Sequence, residues 1–211
     1  MNYVPGDLRE QLAHVGYDVV HAGLVVGSGG NLSARAPGDD VCWVTASGTW
    51  LDRLDRPSFV RVRVADGTAV DSGAPPPSTE VALHVATYRA RPDANAVVHL
   101  HPQTVLLLDA LGERVRLATT DHAFYLREIA VAPFRPPGSA ELADVAAAAV
   151  AGGVNAVVLS GHGCSVVGDR VEVAHKRARN LEEAAQLTYR ALALGRLTTL
   201  PEVPATALTQ A

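Results

Sequence analysis

Val97-Val98-His99-Leu100-His101-Pro102 sets two valines before a His-x-His and closes the run with proline. Such a run reads as a short buried strand whose end can face a cavity. Side chains alternate faces at a rise of about 3.3 Å per residue, so His99 and His101 point the same way, about 6.6 Å apart along the chain. Two imidazoles so placed can grip one metal ion. Zinc accepts imidazole nitrogens at about 2.0–2.1 Å, and three protein ligands with one open position describe a catalytic site better than a closed structural one. The third ligand has to come from elsewhere in the chain.

Asn155 to Ser160, NAVVLS, reads as another short buried strand, and it runs into Gly161-His162-Gly163. The bare, bent backbone around a histidine flanked by glycines suits close approach to a metal, which makes His162 the expected third ligand; the plainer alternative is a surface-turn histidine. Cys164, two residues on, could also bind zinc, but it reads rather as a buried inert thiol. Ser78-Thr79-Glu80 opens a helix, with Ser78 or Thr79 as a natural N-cap. Glu80 in its first turn either complements the helix dipole or serves the site, and His84, one turn later, reads as a packed residue or a supporting neighbour. Free amides at a helix start also bind phosphate. Two hydroxyl-and-glycine turns, Gly27-Ser28-Gly29-Gly30-Asn31 and Ala46-Ser47-Gly48-Thr49, could face the same anion, since such loops present backbone amides.

With 211 residues, 48% of them hydrophobic, the chain fits one domain with a full core. The expected boundaries are a domain over residues 1–195 and a mobile Thr/Pro/Ala-rich tail over 196–211. A formal charge of −4 without a run of like charges leaves no footprint for nucleic acid or an anionic membrane. Cys42 and Cys164 make no CxxC, which argues for a reducing compartment. With no signal peptide and no run of about 18 apolar residues, a cytoplasmic protein is expected.

The remaining elements follow from periodicity. Pro5-Gly6-Asp7 opens a helix with Leu8, Leu12, Val15 and Val19 on its core face, and His14 and His21 read as exposed or packed. Strands are expected at 41–45, 59–64, 115–117 and 128–134, and helices at 103–111, from Ser139 or Glu141 to Gly152-Gly153, and last through Leu194. Asp169 and Glu172 suggest a capping box for that last helix. Thr119 to Tyr125 reads as a loop rich in hydrogen-bonding groups.

Gly27-Ser-Gly-Gly-Asn31, Ser78-Thr-Glu80, the RPDANAVVHLHP run and Gly-His162-Gly, in this order, resemble the class II aldolase/adducin-head family over Leu8 to Leu194. The resemblance implies a single three-layer α/β/α domain around a mostly antiparallel sheet, in a homotetramer with active sites between subunits. It implies zinc on His99, His101 and His162, with manganese or cobalt as alternatives, and Glu80 as the acid/base carboxylate. It also implies a phosphate pocket of Ser28, Asn31, Ser47, Gly48, Ser78 and Thr79 for a phosphorylated sugar. The expected activity is aldol cleavage of a ketose 1-phosphate; decarboxylase, dehydratase and epimerase members share the same groups, and an adducin-like scaffold would lack the need for them. Two departures stand out. The fuculose-phosphate aldolase type reaches the aldehyde with a tyrosine in its tail, and this chain has none after Tyr189. The epimerase Thr-His-Ala-Asp stretch becomes Thr120-Asp121-His122-Ala123 here, leaving Asp121, His122 and Tyr125 as candidates for the second proton-transfer group.

Overall fold

Alternation along the strands divides the core between two faces of one sheet. In β4 (Ala96–Leu100), Val98 and Leu100 belong to the cluster of Leu12, Val15 and Leu181, whereas Val97 packs with Val60, Val62 and Tyr88. The computed structural model describes residues 3–208. Its seven-stranded sheet runs β3 (Phe59–Arg63), β2 (Val41–Thr45), β1 (Asn31–Ala34), β4, β7 (Gly163–Gly168), β6 (Ala156–Leu159), β5 (Ile129–Ala132). All neighbours are antiparallel except β5 and β6.

Helices α1 (Leu8–His21), α3 (Gln103–Ala110), α4 (Thr120–Leu126) and α6 (Val171–Ala193) supply the apolar side chains of the face that Val98 joins. On the other face α2 (Val81–Ala90) packs against α5 (Ala140–Val150), through Val85 and Tyr88 onto the β2–β3 half and Leu83, Leu142 and Ala146 onto the β6 side. The protein is therefore the expected α/β fold with a mostly antiparallel sheet between helical layers. Among the described residues no helix is long and apolar enough to cross a membrane.

Several local expectations are corrected. Thr119 to Tyr125 is a helix, because the Thr119 hydroxyl accepts from the His122 N–H and caps α4, and α4 packs on α6. Residues 115–117 form no strand: the Arg116 N–H donates to Thr188 Oγ1, and the Leu117 carbonyl accepts from Val203 N. The Asp169/Glu172 capping box does not form, since the Asp169 carboxylate turns to the Arg170 guanidinium and Arg170 is the N-cap of α6. Ser78 and Thr79 precede the N-cap of α2, which is Glu80; the Ser78 hydroxyl accepts from the Glu80 N–H. Of the expected tail, Glu202 pairs with Arg114 and Arg116, and residues 209–211 lie outside the described residues.

One buried carboxylate ties the two halves of the α6 face together. α3 begins after Pro102, which supplies no side-chain cap, and Glu182 of α6 accepts instead from Thr104 N and Oγ1 and from Val105 N. Replacing Glu182 by alanine leaves these donors unsatisfied in a buried place, and the expected loss is about 2 kcal/mol or more of unfolding free energy in urea. An unchanged midpoint would remove Glu182 from this role.

Candidate metal centre and active-site cleft

Strand register brings the site together. Asn31 of β1 lies opposite His99 of β4, which lies opposite Ser165 of β7. Residues directly opposite share a face of the sheet, so Asn31 and His99 both look toward the start of α2, where Glu80 sits. Close approach demands glycine at two points. A Cβ on Gly30, whose φ is 77°, would lie 2.7 Å from the His99 carbonyl oxygen. A Cβ on Gly163 would lie 2.5 Å from the Leu100 carbonyl oxygen and 2.6 Å from His101 Cδ2. The turn carrying His162 is held by Asp109, which accepts from Ser160 Oγ at 2.9 Å and from Gly161 N at 2.8 Å.

Glu80, His99, His101 and His162 each offer a ligand atom, all within 4.8 Å of one another. His99 Nε2 lies 3.1 Å from both Glu80 Oε2 and His101 Nε2, and His162 Nε2 lies 3.3 Å from Glu80 Oε1. Ligands at about 2.05 Å in a tetrahedron stand about 3.3 Å apart, so these residues fit a divalent cation of zinc's preferences. Glu80 Oε1 is buried without a hydrogen-bond donor, which leaves its lone pairs directed at the imidazoles. Burial and then the neighbouring His99 and His162 push His101 down to about 4, and burial likewise lowers His162. Neutral imidazoles keep the lone pairs that coordination needs. Burial works to raise the Glu80 carboxyl, but the His99 contact, the Asn31 hydrogen bond and His162 outweigh it and hold the group well below the usual carboxylate range.

Behind Glu80 runs a buried chain with one consistent direction. Asn31 Nδ2 donates to Glu80 Oε2 at 2.9 Å, and its Oδ1 accepts from His84 Nε2. His84 Nδ1 then accepts from Ser33 Oγ at 2.7 Å, and Ser33 in turn accepts from the Tyr88 hydroxyl at 2.7 Å. His84 is fully buried, and desolvation, followed by the proximity of His99, pushes its imidazole down to about 3. The neutral ring fixes the Asn31 amide so that its NH2 meets the carboxylate.

The cleft in front, of about 290 Å³, gathers Ser28, Asn31, Ser47, Gly48, Ser78 and Thr79 beside Glu80, His101 and His162. Every residue expected at a phosphate is thus in one place. Asp121, His122 and Tyr125 do not line it. Asp121 is exposed on α4; His122 is buried, with Nε2 3.8 Å from Glu183 Oε2; the Tyr125 carbonyl accepts from Arg177. Asp109, Ser33 and Tyr88 support the site without any local sequence signal, whereas His84 was marked by its place one turn after Glu80.

The model of the Class II Aldolase and Adducin N-terminal domain matches residues 10–189. The chain belongs to that family. It is 30% identical over 197 residues to the 5-deoxy-D-ribulose 1-phosphate aldolase of Bacillus thuringiensis, covering 92% of this chain and 90% of that one. It is 31% identical over 191 residues to the 3-oxo-tetronate 4-phosphate decarboxylase of Escherichia coli, covering 88% of each. A solved structure of an L-fuculose 1-phosphate aldolase superposes with a TM-score of 0.86 at 26% identity, over 97% of this chain and 95% of that one.

The buried chain makes a pH prediction. His84 binds its proton near 6.5 when unfolded and near 3 when folded, so the unfolded state takes up the proton first as the pH falls. Stability from this residue is present above about 6.5 and is lost progressively toward 3. The melting temperature of His84→Gln should therefore fall less steeply than that of the wild type below pH 6.5. Parallel slopes would remove His84 as a source of the acid sensitivity.

Proposed function

We propose that this protein is a zinc-dependent class II aldolase, which reversibly cleaves a ketose 1-phosphate to dihydroxyacetone phosphate and an aldehyde. The substrate class is a fuculose-1-phosphate-like or deoxypentulose 1-phosphate sugar. One observation carries the reading: the Glu80/His99/His101/His162 cluster opens into the same cleft as the two glycine turns and the Ser78-Thr79 hydroxyls. His99, His101 and His162 would hold the cation, with manganese or cobalt as substitutes for zinc. When bound, it supplies Lewis-acid stabilisation of the negative charge that develops as the carbon–carbon bond breaks.

The chain's own residues do the rest. Hydroxyls of Ser28, Ser47, Ser78 and Thr79, with the Gly48 backbone, hold the phosphate and so fix the distance from it to the reacting carbons; Asn31, also expected at the phosphate, lines the same cleft with its amide engaged by Glu80 and His84. Asn31 holds the Glu80 carboxylate in place, and Glu80 moves the proton at the carbon that is nucleophilic in the synthetic direction. The proton on the aldehyde-forming hydroxyl needs a second group. Asp121, His122 and Tyr125 are the candidates; none lines the cleft of its own chain, and His122 is buried within it, so we assign the exposed Asp121 and the half-buried Tyr125 to the site of a neighbouring copy within a cytoplasmic homotetramer.

A sugar-phosphate decarboxylase is the second reading, favoured by the likeness to the Escherichia coli enzyme at 31% identity. Dehydratase and epimerase chemistries use the same groups, and an adducin-like scaffold is disfavoured by the intact ligand set. Release of dihydroxyacetone phosphate from a panel of ketose 1-phosphates, coupled to a reductase and NADH, should occur and should stop on adding a chelator. Carbon dioxide from a 3-oxo-acid phosphate, with no dihydroxyacetone phosphate from any ketose, would transfer the assignment to the decarboxylase. Glu80→Gln should lower kcat by about 10²–10⁴-fold, the range for loss of a general acid/base, while bound metal measured by emission spectroscopy stays near one ion per chain. A variant with near-normal kcat would exclude Glu80 from proton transfer.

A further inference from the structure

Arg127 follows α4 with φ 60° and ψ −61°, and among the described residues it is the one non-glycine with positive φ. The Glu128 N–H closes a three-residue turn across it onto the Leu126 carbonyl at 2.6 Å. Glycine adopts this turn freely and a long L-side chain does not, so the strain calls for a function that the side chain serves. Arg127 lines a cleft of about 540 Å³ with Arg177, Arg91, Arg170 and Lys176, alongside Asp93 and Asp169, and it also borders a neighbouring cleft.

Most of these cations are matched. Arg91 pairs with Asp93, Arg170 with Asp169 and Glu172, and Lys176 with Glu172. Arg127 and Arg177 have no such carboxylate among the described residues. Arg177 is anchored instead by donating to the Tyr125 carbonyl at 2.9 Å and the Val167 carbonyl at 2.6 Å, which holds a fixed positive charge in a partly dry place. Burial lowers it to about 10, with Arg91 and Arg127 adding to that effect against Asp169 and Asp93. The cleft also includes the start of α6, where Arg170 provides no side-chain cap and helix amides favour negative charge.

We propose that this cleft is a second anion site, binding a phosphate or phosphomonoester between the guanidinium groups of Arg127 and Arg177. A planar guanidinium such as that of Arg127 grips phosphate oxygens in pairs; Arg177, with Nε and Nη1 donating to carbonyls, keeps Nη2 for the anion, and two cations without a carboxylate partner suit a dianion. Arg91, Asn155 and Asp169 stand at the opposite ends of β4, β6 and β7 from His101 and His162. A five-residue strand spans about 16 Å, so an occupant here does not touch the metal cluster of the same chain. The proposal does not depend on which reaction the other cleft performs.

Titration of metal-loaded full-length protein with inorganic phosphate, repeated with glycerol 3-phosphate to separate free phosphate from phosphomonoester, tests it by stoichiometry. The wild type should bind two per chain and Arg127→Gly one, with a melting temperature no lower than the wild type because glycine relieves the turn. Arg177→Met should also bind one, and if loss of its two carbonyl contacts unfolds it, Arg127→Gly decides alone. Wild type binding one phosphate that Arg127→Gly abolishes would support this site and count against the phosphate pocket beside Glu80. Equal stoichiometry in wild type and Arg127→Gly would overturn the proposal.

Discussion

Polar groups buried under α2 have little water to satisfy them, and the site is built around meeting that demand. An unpaired buried donor or acceptor costs about 1–3 kcal/mol, so the file from Tyr88 through Ser33, His84 and Asn31 to Glu80 is a condition of folding as well as of chemistry. Each member has only one role left open by its neighbours. The Glu80 carboxylate accepts, which makes the facing Asn31 atom the amide nitrogen; its oxygen then requires His84 to donate from Nε2, and Nδ1 must accept from Ser33. Burial keeps His84 neutral and preserves this pattern.

That file exists only in one strand register. Because side chains alternate along a strand, a slip of one residue in β1 against β4 would carry Ser33 and Asn31 to the α6 face, away from His84 and Glu80. Gly30 and Gly163 press the neighbouring strand ends against the His99–His101 segment, where any side chain would collide with backbone. Asp109 then fixes the turn that carries His162, through the Ser160 hydroxyl and the Gly161 N–H, and Glu182 fixes the first turn of α3, which leaves the His99–His101 segment. Site geometry is thus a by-product of packing decisions made on both faces of the sheet.

The parts legible in the sequence were those with a strong local period or an unusual residue pair. Val97-Val98-His99-Leu100-His101 announces a strand and a ligand pair at once, and glycines on both sides of His162 mark a turn. β7 escaped because Gly163 to Gly168 is buried throughout, so it shows no polar alternation, and glycine stands at each end. α4 escaped for the opposite reason: its polar residues carry no apolar stripe, and packing on α6 with the Thr119 cap makes it helical. Residues 115–117 have strand-forming side chains, yet their backbone groups are taken by Thr188 and Val203. No window around Asp109 or Glu182 predicts their roles, since each acts on a segment far away in the chain.

A single chain assembles the phosphate and metal half of the proposed reaction centre and leaves the other half open. Asp121, His122 and Tyr125 sit on the α6 side, so whatever meets the far end of the substrate has to approach from outside this cleft. This division has a chemical logic. Holding a phosphate and stabilising negative charge next to a carbonyl are steps common to aldol cleavage and decarboxylation, whereas the leaving fragment is an aldehyde in one and carbon dioxide in the other. Relatives named as an aldolase and a decarboxylase match this chain equally well, at 30% and 31% identity. Overall likeness therefore reports what the two reactions share and does not separate them.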